Sequence, residues 1–600
     1  MALFGVCIRA SPTLLPSWTG CPVNGPLLPR PTDLGNSQII QNATAKLAHA
    51  LDLSIRGERK AGFQVDNTSF SLALVSPYTP DSDQTGEDII WSYHHLGKNN
   101  VQGTNDLGDD SQYMIGSISK VFSDLILLQS DLDLNDPITQ YLPELEREGT
   151  PIQWSNITLS ALSNHLAGIP SNLPSSFEWY SLRSYFEQFG FPVLENGSYP
   201  ICGVSGLSKA CNEQQIIDMM ASTLPVQQPY SQPIYSSLAF SLLGMALSRK
   251  TNKTYQVLLD IAIIRPIGLT NTGISPGDTE KAVIPPLDPT SQGWGADYGL
   301  NAPGGGLYSS LRDLSTLAAR ILDYSIFPSP GMTHQWLKPQ SMTASTNNLV
   351  GRPWEIQRTE NLVPRNPHTV DIYSKSGGAP GYISQLSLVD QYGVGFVVLT
   401  AGPLEDATAS ILNDALITSL IPAIDQEGHR QARKYTGNFS VPVSSGVNST
   451  QKEMPVELNL IMDSGTGLKI YSLTRNGSDI LGGIQELWAT MIPETGILGS
   501  DFRIYPAEVE VKVEGEDGVF LEDWRINFDV VPHDNAAISD LPGQGKLSSK
   551  VCTSWQVAAW LYYGGEALDR VVFKVNRTSG EVLGIDVPFL RSGILNKPRF

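Results

Sequence analysis

Strand-like segments stand at both ends of one long stretch of this chain, and that separation limits its fold more than any other feature. Residues 69–75 and 88–95 alternate with period two and are rich in β-branched and aromatic side chains. Comparable segments return over about 369–399. Helical and loop-rich sequence fills the space between. A helix is expected around 42–53, and another over roughly 404–424 closes the stretch. Early and late strands must meet to pair, so both ends build one antiparallel sheet with a helical region beside it. The expected class is α+β.

At 600 residues the chain exceeds a single core. The first segment, 1–35, is proline-rich and reads as a leader or extended arm. Residues 36–430 hold the stretch just described. From 434 to 600 the texture changes. Segments 456–462, 509–513 and 524–528 alternate, Asn476-Gly477 signals a hairpin, and helical periodicity is scarce. A second domain that is all β, a small sandwich or barrel, is expected there.

Chemistry concentrates in three places. Ser117-Ile118-Ser119-Lys120 follows a strand end and opens an apolar helical run, Val121 to Leu128. A serine on a first helical turn sits near unpaired N–H groups, and a lysine three residues on shares its face. Apolar walls would strip the ammonium of hydration, lower its pKa and let it accept the serine proton. The same spacing recurs at Ser449 and Lys452, so spacing alone describes many solvated helices too. Tyr235-Ser236-Ser237 stands at the start of a second apolar helix, where a phenol could relay a proton beside a lysine. In Lys375-Ser376-Gly377-Gly378 a strand runs into paired glycines, which admit a substrate against the backbone and leave an N–H for an oxyanion. Taken singly, the tyrosine also fits a packed ring and the glycines an ordinary bulge.

In this order the three motifs resemble the serine β-lactamase and penicillin-binding-protein superfamily. The resemblance is strongest to class C β-lactamases and related esterases, of the secreted fungal type with a C-terminal β domain. Residues 157–170, ending in His165-Leu166-Ala167-Gly168-Ile169-Pro170, the run Pro303-Gly304-Gly305-Gly306-Leu307 and the strand-like 393–400 are similar to further family segments. The resemblance spans about 36–430 and implies a β-lactamase/transpeptidase-like sheet flanked by helices. The opening of the last domain, Tyr435-Thr436-Gly437-Asn438-Phe439, resembles the lipocalin-like domain appended to many relatives. By position, Ser117 would be the acylated nucleophile, with Lys120 and Tyr235 sharing the acid–base work. The N–H groups of Ser117 and Gly378 would form the oxyanion hole. Ser237, Lys375, Ser376, Gly377 and Gly378 would line the substrate, Lys375 and Ser376 anchoring its acyl or carboxylate part. One departure stands out: the family's asparagine is Ser237 here. A hydroxyl lacks the two-sided hydrogen bonding of a carboxamide, which bears on selectivity for β-lactam amides.

The implied function is a serine hydrolase acting through an acyl-enzyme on a small-molecule ester or amide. Two alternatives are an acyltransferase or transesterase in secondary metabolism, and a binding protein that kept the fold without catalysis. Gly273-Ile274-Ser275-Pro276-Gly277 matches a G-x-S-x-G elbow, but a proline follows the serine and a polar loop replaces the helix that motif needs. No metal or other cofactor is expected, since the His and Cys spacings match no ligand motif. A net charge of −20 argues against nucleic acid and anionic membranes as partners. No apolar run is long enough to span a bilayer. Sequons at Asn42, Asn67, Asn156, Asn196, Asn252, Asn438, Asn448, Asn476 and Asn576 point to a secreted glycoprotein. Cys202 and Cys211 bracket a short loop suited to a disulfide, and the odd total of five leaves one cysteine over, with Cys7 in the range a leader would remove. The weak N-terminal apolar run keeps a cytoplasmic location as the alternative. Oligomeric state is left open.

Overall fold

The structure, a computed structural model, describes residues 20–77, 88–172, 184–193, 202, 209–288, 292–403, 407–441, 455–492, 496–531, 540–543, 547 and 551–597. The chain divides into two compact units, one of residues 31–362 and 369–424, the other of 1–30, 363–368 and 425–600.

The first unit is built on an eight-stranded antiparallel sheet. Its order is Ile89–His95, Ser69–Val75, Val394–Ala401, Tyr382–Val389, Val370–Ala379, Glu355–Thr359, Asn348–Val350 and Ser341–Met342. Ser69 pairs with Ala401 and Val75 with Gly395, so the early and late strands do meet. Both central strands, Ser69–Val75 and Val394–Ala401, are buried throughout. The last three strands of the order were not anticipated. They are two, three and five residues long, and sequences such as Glu-Ile-Gln-Arg-Thr lack an apolar face. Such strands owe their existence to a neighbour with open hydrogen-bonding groups, not to their own pattern.

The helix Leu311–Leu322 packs on this sheet against Ser69–Val75, Tyr382–Val389 and Val394–Ala401. Gln38–Ile55, longer than the expected 42–53, starts at Ser37, whose side chain accepts from the Ile40 amide. It buries Ile40, Thr44, Leu47 and Leu51, one helical stripe. The helix Ser119–Leu128 is buried from Ser119 to Leu127, and Ser237–Thr251 from Leu238 to Leu247, so both lie inside the unit. A small three-stranded sheet sets Leu307–Ser310 between Gln112–Met114 and Gly273–Ile274. It delivers the chain to the turn Gly116–Ile118 ahead of the first buried helix.

The second unit carries its own eight-stranded sheet, with the path Gly437–Ser440, Val456–Ile461, Leu468–Arg475, Arg503–Lys512, Val519–Asn527, Arg570–Asn576 and Glu581–Asp586. Leu595 bridges Ile585 on the last strand, and Asn596 bridges Ser440 on the first, so the sheet is nearly closed, like a barrel. Asn476 and Gly477 both take positive φ and join Leu468–Arg475 to Ser478–Asp479, the two-residue hairpin that dipeptide signals. Trp488, Trp524 and Phe573 are fully buried in its core. Trp488 belongs to a helix, Ile480–Met491, that the all-β expectation missed; only Ile484 and Trp488 on it are buried, too short a stripe to register as a period. Residues 20–30 pack here too. Leu27 and Leu28 are buried, and Cys21 is bonded to Cys552 with Cα atoms 5.6 Å apart. The part of the expected arm that is described is therefore fastened rather than free.

Candidate active site

The site begins with a tight crossing of backbones. Gly116 has φ of +48°, and a Cβ there would stand 2.5 Å from the Gly378 nitrogen and oxygen. A Cβ on Gly377 would overlap the Ile115 carbonyl oxygen. Glycine at both places lets the turn holding Ser117 lie directly on the strand holding Lys375. The Ser384 hydroxyl donates to the Ile115 carbonyl at 2.8 Å and fastens the crossing from the next strand. Ser119 locks the turn, its Oγ donating to Gly116 O at 2.6 Å and accepting from Leu307 N at 3.1 Å.

Lys120 points from the buried helix into this crossing. Its Nζ donates to Ser117 Oγ at 3.0 Å, to Ser237 Oγ at 3.2 Å and to the Gly304 carbonyl. The lysine is wholly buried, whereas Ser117 is half-buried and reachable. Burial pulls the Lys120 ammonium down to about 8; Tyr235 pushes it up and Lys375 pulls it further down. A serine oxygen thus stands at hydrogen-bonding distance from an amine that is partly neutral near pH 8.

Tyr235 is held over the pair by its backbone. The Ser171 hydroxyl donates to Tyr235 O at 2.6 Å, Ser236 Oγ donates to Pro170 O at 2.7 Å, and Ser237 N donates to Ser171 O at 2.9 Å. Its ring centroid lies 4.9 Å from Lys120 Nζ and 5.0 Å from Lys375 Nζ. Burial raises the phenol, but the Lys120 and Lys375 ammonium groups, with Ser117 beside them, outweigh it, and Tyr235 ends below the ordinary tyrosine value.

The residues of the three motifs thus gather at one place: Lys120 hydrogen-bonds to Ser117 and Ser237 with the Tyr235 ring 4.9 Å away, and Lys375, Ser376, Gly377 and Gly378 lie along the crossing strand. Among the described residues, no atom stands within 4 Å of a Cβ built on Gly378, so that backbone faces open space. Three features were missed. The Gly304 carbonyl, from the glycine run, completes the Lys120 environment. His165 packs its ring 4.5 Å from that of Tyr235 and accepts from Ser236 N through Nδ1 at 3.2 Å. Burial, with Lys120 and Lys375 nearby, holds it well below the usual histidine range, hence neutral with its proton on Nε2. The third is Glu355. Its carboxylate takes the Lys375 ammonium on Oε1, and Ser376 N at 3.1 Å and Ser376 Oγ at 2.7 Å on Oε2. No motif announces it, because the contact arises from the pairing of Glu355 with Ser374 across two strands.

The rival elbow does not form. Ser275 is buried, a cis bond joins it to Pro276, and the chain turns on instead of entering a helix. Cys202 and Cys211 are bonded, as their spacing suggested. Among the described residues no group of three or more His, Cys, Asp or Glu could hold a metal ion, and no helix is long and apolar enough to cross a membrane. Of the sequon asparagines, Asn42, Asn156, Asn252, Asn438 and Asn476 are exposed and Asn67 and Asn576 half-buried. Asn196, Asn448, Cys7 and the Ser449–Lys452 pair lie outside the described residues.

Residues 85–418 match the β-lactamase family model, and residues 428–597 match a model described as the C-terminal domain of β-lactamase-like proteins. A β-lactamase-like protein of Arthroderma benhamiae is 49% identical over 98% of both chains. A probable hydrolase of Cochliobolus lunatus is 25% identical over 87% of this chain and 84% of that one. A D-alanyl-D-alanine-carboxypeptidase/endopeptidase of Escherichia coli is 24% identical over 49% of this chain and 72% of its own. A β-lactamase/D-alanine carboxypeptidase structure from Yersinia pestis aligns over 63% of this chain and 99% of that one, at 19% identity and a TM-score of 0.43. With a buried amine on a reachable serine, and a family model that covers more than half its length, the chain belongs to the β-lactamase family.

Proposed function

We propose that this protein is a serine hydrolase that works through an acyl-enzyme on Ser117, with an ester as the first substrate to try. One observation carries the reading: Lys120 Nζ lies 3.0 Å from Ser117 Oγ in a setting that lowers its pKa to about 8. Neutral Lys120 takes the Ser117 proton as the oxygen attacks the acyl carbon. The new oxyanion meets the amides of Ser117 and Gly378. Lys120 returns that proton through the Tyr235 phenol to the leaving group, and as the acyl-enzyme is cleared the same pair takes a proton from the attacking water and gives it back to Ser117 Oγ. Ser237 orients the ammonium. The names of two relatives, a probable hydrolase and a carboxypeptidase/endopeptidase, support hydrolysis over transfer of the acyl group to another acceptor.

The test is turnover of a p-nitrophenyl ester by the wild type and by Ser117→Ala. The expected result is hydrolysis in the first, loss of about a thousandfold or more in the second, and no gain in rate from added alcohol. Equal turnover in both proteins would remove Ser117 from the mechanism; a rate that climbs with alcohol would favour the transferase.

The protein's place is proposed as extracellular. Two disulfides persist best in an oxidising compartment, and exposed sequon asparagines offer acceptors for glycans there. Secretion from a fungal host, with a loss of mass on deglycosylation, is the expected outcome; retention in the cytosol with reduced cysteines would contradict it.

A further inference from the structure

We propose that Glu355 sets the specificity of this site by occupying the anion position beside Lys375 and Ser376, so that the protein acts on uncharged acyl groups and turns away carboxylate-bearing ones. The proposal rests on the acyl-enzyme reading above and deepens it.

Lys375 and Ser376 are the two donors that the family resemblance assigns to the acyl or carboxylate part of a substrate. In the structure both are already engaged, and by a carboxylate. Glu355 accepts from the ammonium with one oxygen and from the Ser376 amide and hydroxyl with the other. All three donors are thus satisfied within the protein, and Lys375 makes its other hydrogen bond to Ser376 O at 2.9 Å. The layering matters as much as the pairing. The Lys375 side chain is 1% exposed and that of Glu355 is 43% exposed, so solvent reaches the carboxylate of the pair and not the ammonium. A ligand meets the acid first.

The electrostatic consequence is direct. A lone buried ammonium would attract an anionic substrate. The Lys375–Glu355 pair is neutral as a whole, and its outward member repels a second carboxylate. To reach Lys375 an anionic substrate must expel Glu355 and supply equivalent hydrogen bonds, which exchanges one ion pair for another. An uncharged acyl chain has no such demand and can lie along Gly378, where a Cβ would meet open space. Specificity of this kind comes from a built-in repulsive element rather than from an added attractive one. Glu355 does not touch the reacting atoms; it acts by filtering what lies beside them.

Two p-nitrophenyl esters of similar length, the pentanoate and the monoester of glutaric acid, differ chiefly in a terminal carboxylate. Their kcat/KM values are compared in the wild type, Glu355→Ala and Glu355→Gln, with intact mass reporting acylation of Ser117. The glutamine variant keeps an acceptor for Ser376 and guards against collapse of the strand. The wild type is expected to favour the pentanoate by about tenfold or more, and both variants to shift that ratio toward the glutarate by about tenfold. An unchanged ratio in both variants, with Ser117 acylated by both esters, overturns the proposal while leaving the acyl-enzyme intact. Absence of acylation by either ester overturns the acyl-enzyme reading and this inference with it.

Discussion

Lys120 is the residue on which the chemistry turns, and water exclusion is what makes it useful. A solvated lysine is protonated at neutral pH and cannot take a proton; this one is brought to about 8 by burial. The protonated form dominates below that value, so kcat/KM is expected to fall about tenfold per pH unit below 8 and level off above it. A flat profile from pH 6 to 9 would contradict the role. Burial acts on folding in the same sense. The folded value lies below the ordinary 10.5, so the unfolded chain binds the proton more tightly between about 8 and 10.5, and stability contributed by this group rises with pH across that window. In Lys120→Met this part of the slope should vanish in denaturant titrations, with kcat/KM lowered by about 10²- to 10⁴-fold. Tyr235→Phe should lower kcat by about a hundredfold with little change in KM, since the ring and its packing remain. The serine, lysine and tyrosine were legible because each sits at a helix start that the chain spells out locally. Glu355 was not: its partners are assigned by strand register, and a single acid ahead of a short strand carries no signal of that.

The crossing between the Ser117 turn and the Lys375 strand is the element that assembles the site. Gly116→Ala and Gly377→Ala each drive a methyl into backbone, and Gly116 also requires a positive φ. Each is expected to cost about 3 kcal/mol or more and to abolish activity. Gly378→Ala is the control: its Cβ would meet open space, so stability should change by less than about 1 kcal/mol while the methyl intrudes on the substrate path. Thermal unfolding of the three variants decides this, and equal loss in all three would mean that the crossing is not the tight point. The paired glycines were visible in the sequence as a place of close approach, but what approaches them was not. The long strands at either end, 69–75 and 394–401, were readable because one alternates Phe70, Leu72 and Leu74 with smaller residues and the other is a largely apolar run. The short strands between 341 and 359 are polar, and the 480–491 helix buries two side chains only, so neither carries a period strong enough to read.

At the scale of the molecule, one covalent tie joins residues 531 apart, Cys21 and Cys552, within the second unit. Closing so long a loop restricts the unfolded chain, and Cys21→Ser with Cys552→Ser is expected to lower stability by about 2–5 kcal/mol. Differential scanning calorimetry reads that loss, and the active-site serine should still label, because Ser117 and the Lys120 bonded to it both belong to the other unit. That last expectation leads to the most direct test of the whole account, the rate of fluorophosphonate labelling followed by intact mass and peptide mapping across pH 6 to 10. The predicted result is a single adduct on Ser117, whose rate climbs to a plateau with a midpoint near 8 and is lost in Lys120→Ala. An adduct elsewhere, or one on Ser117 that forms equally fast without Lys120, would contradict the claim that a buried amine activates this serine.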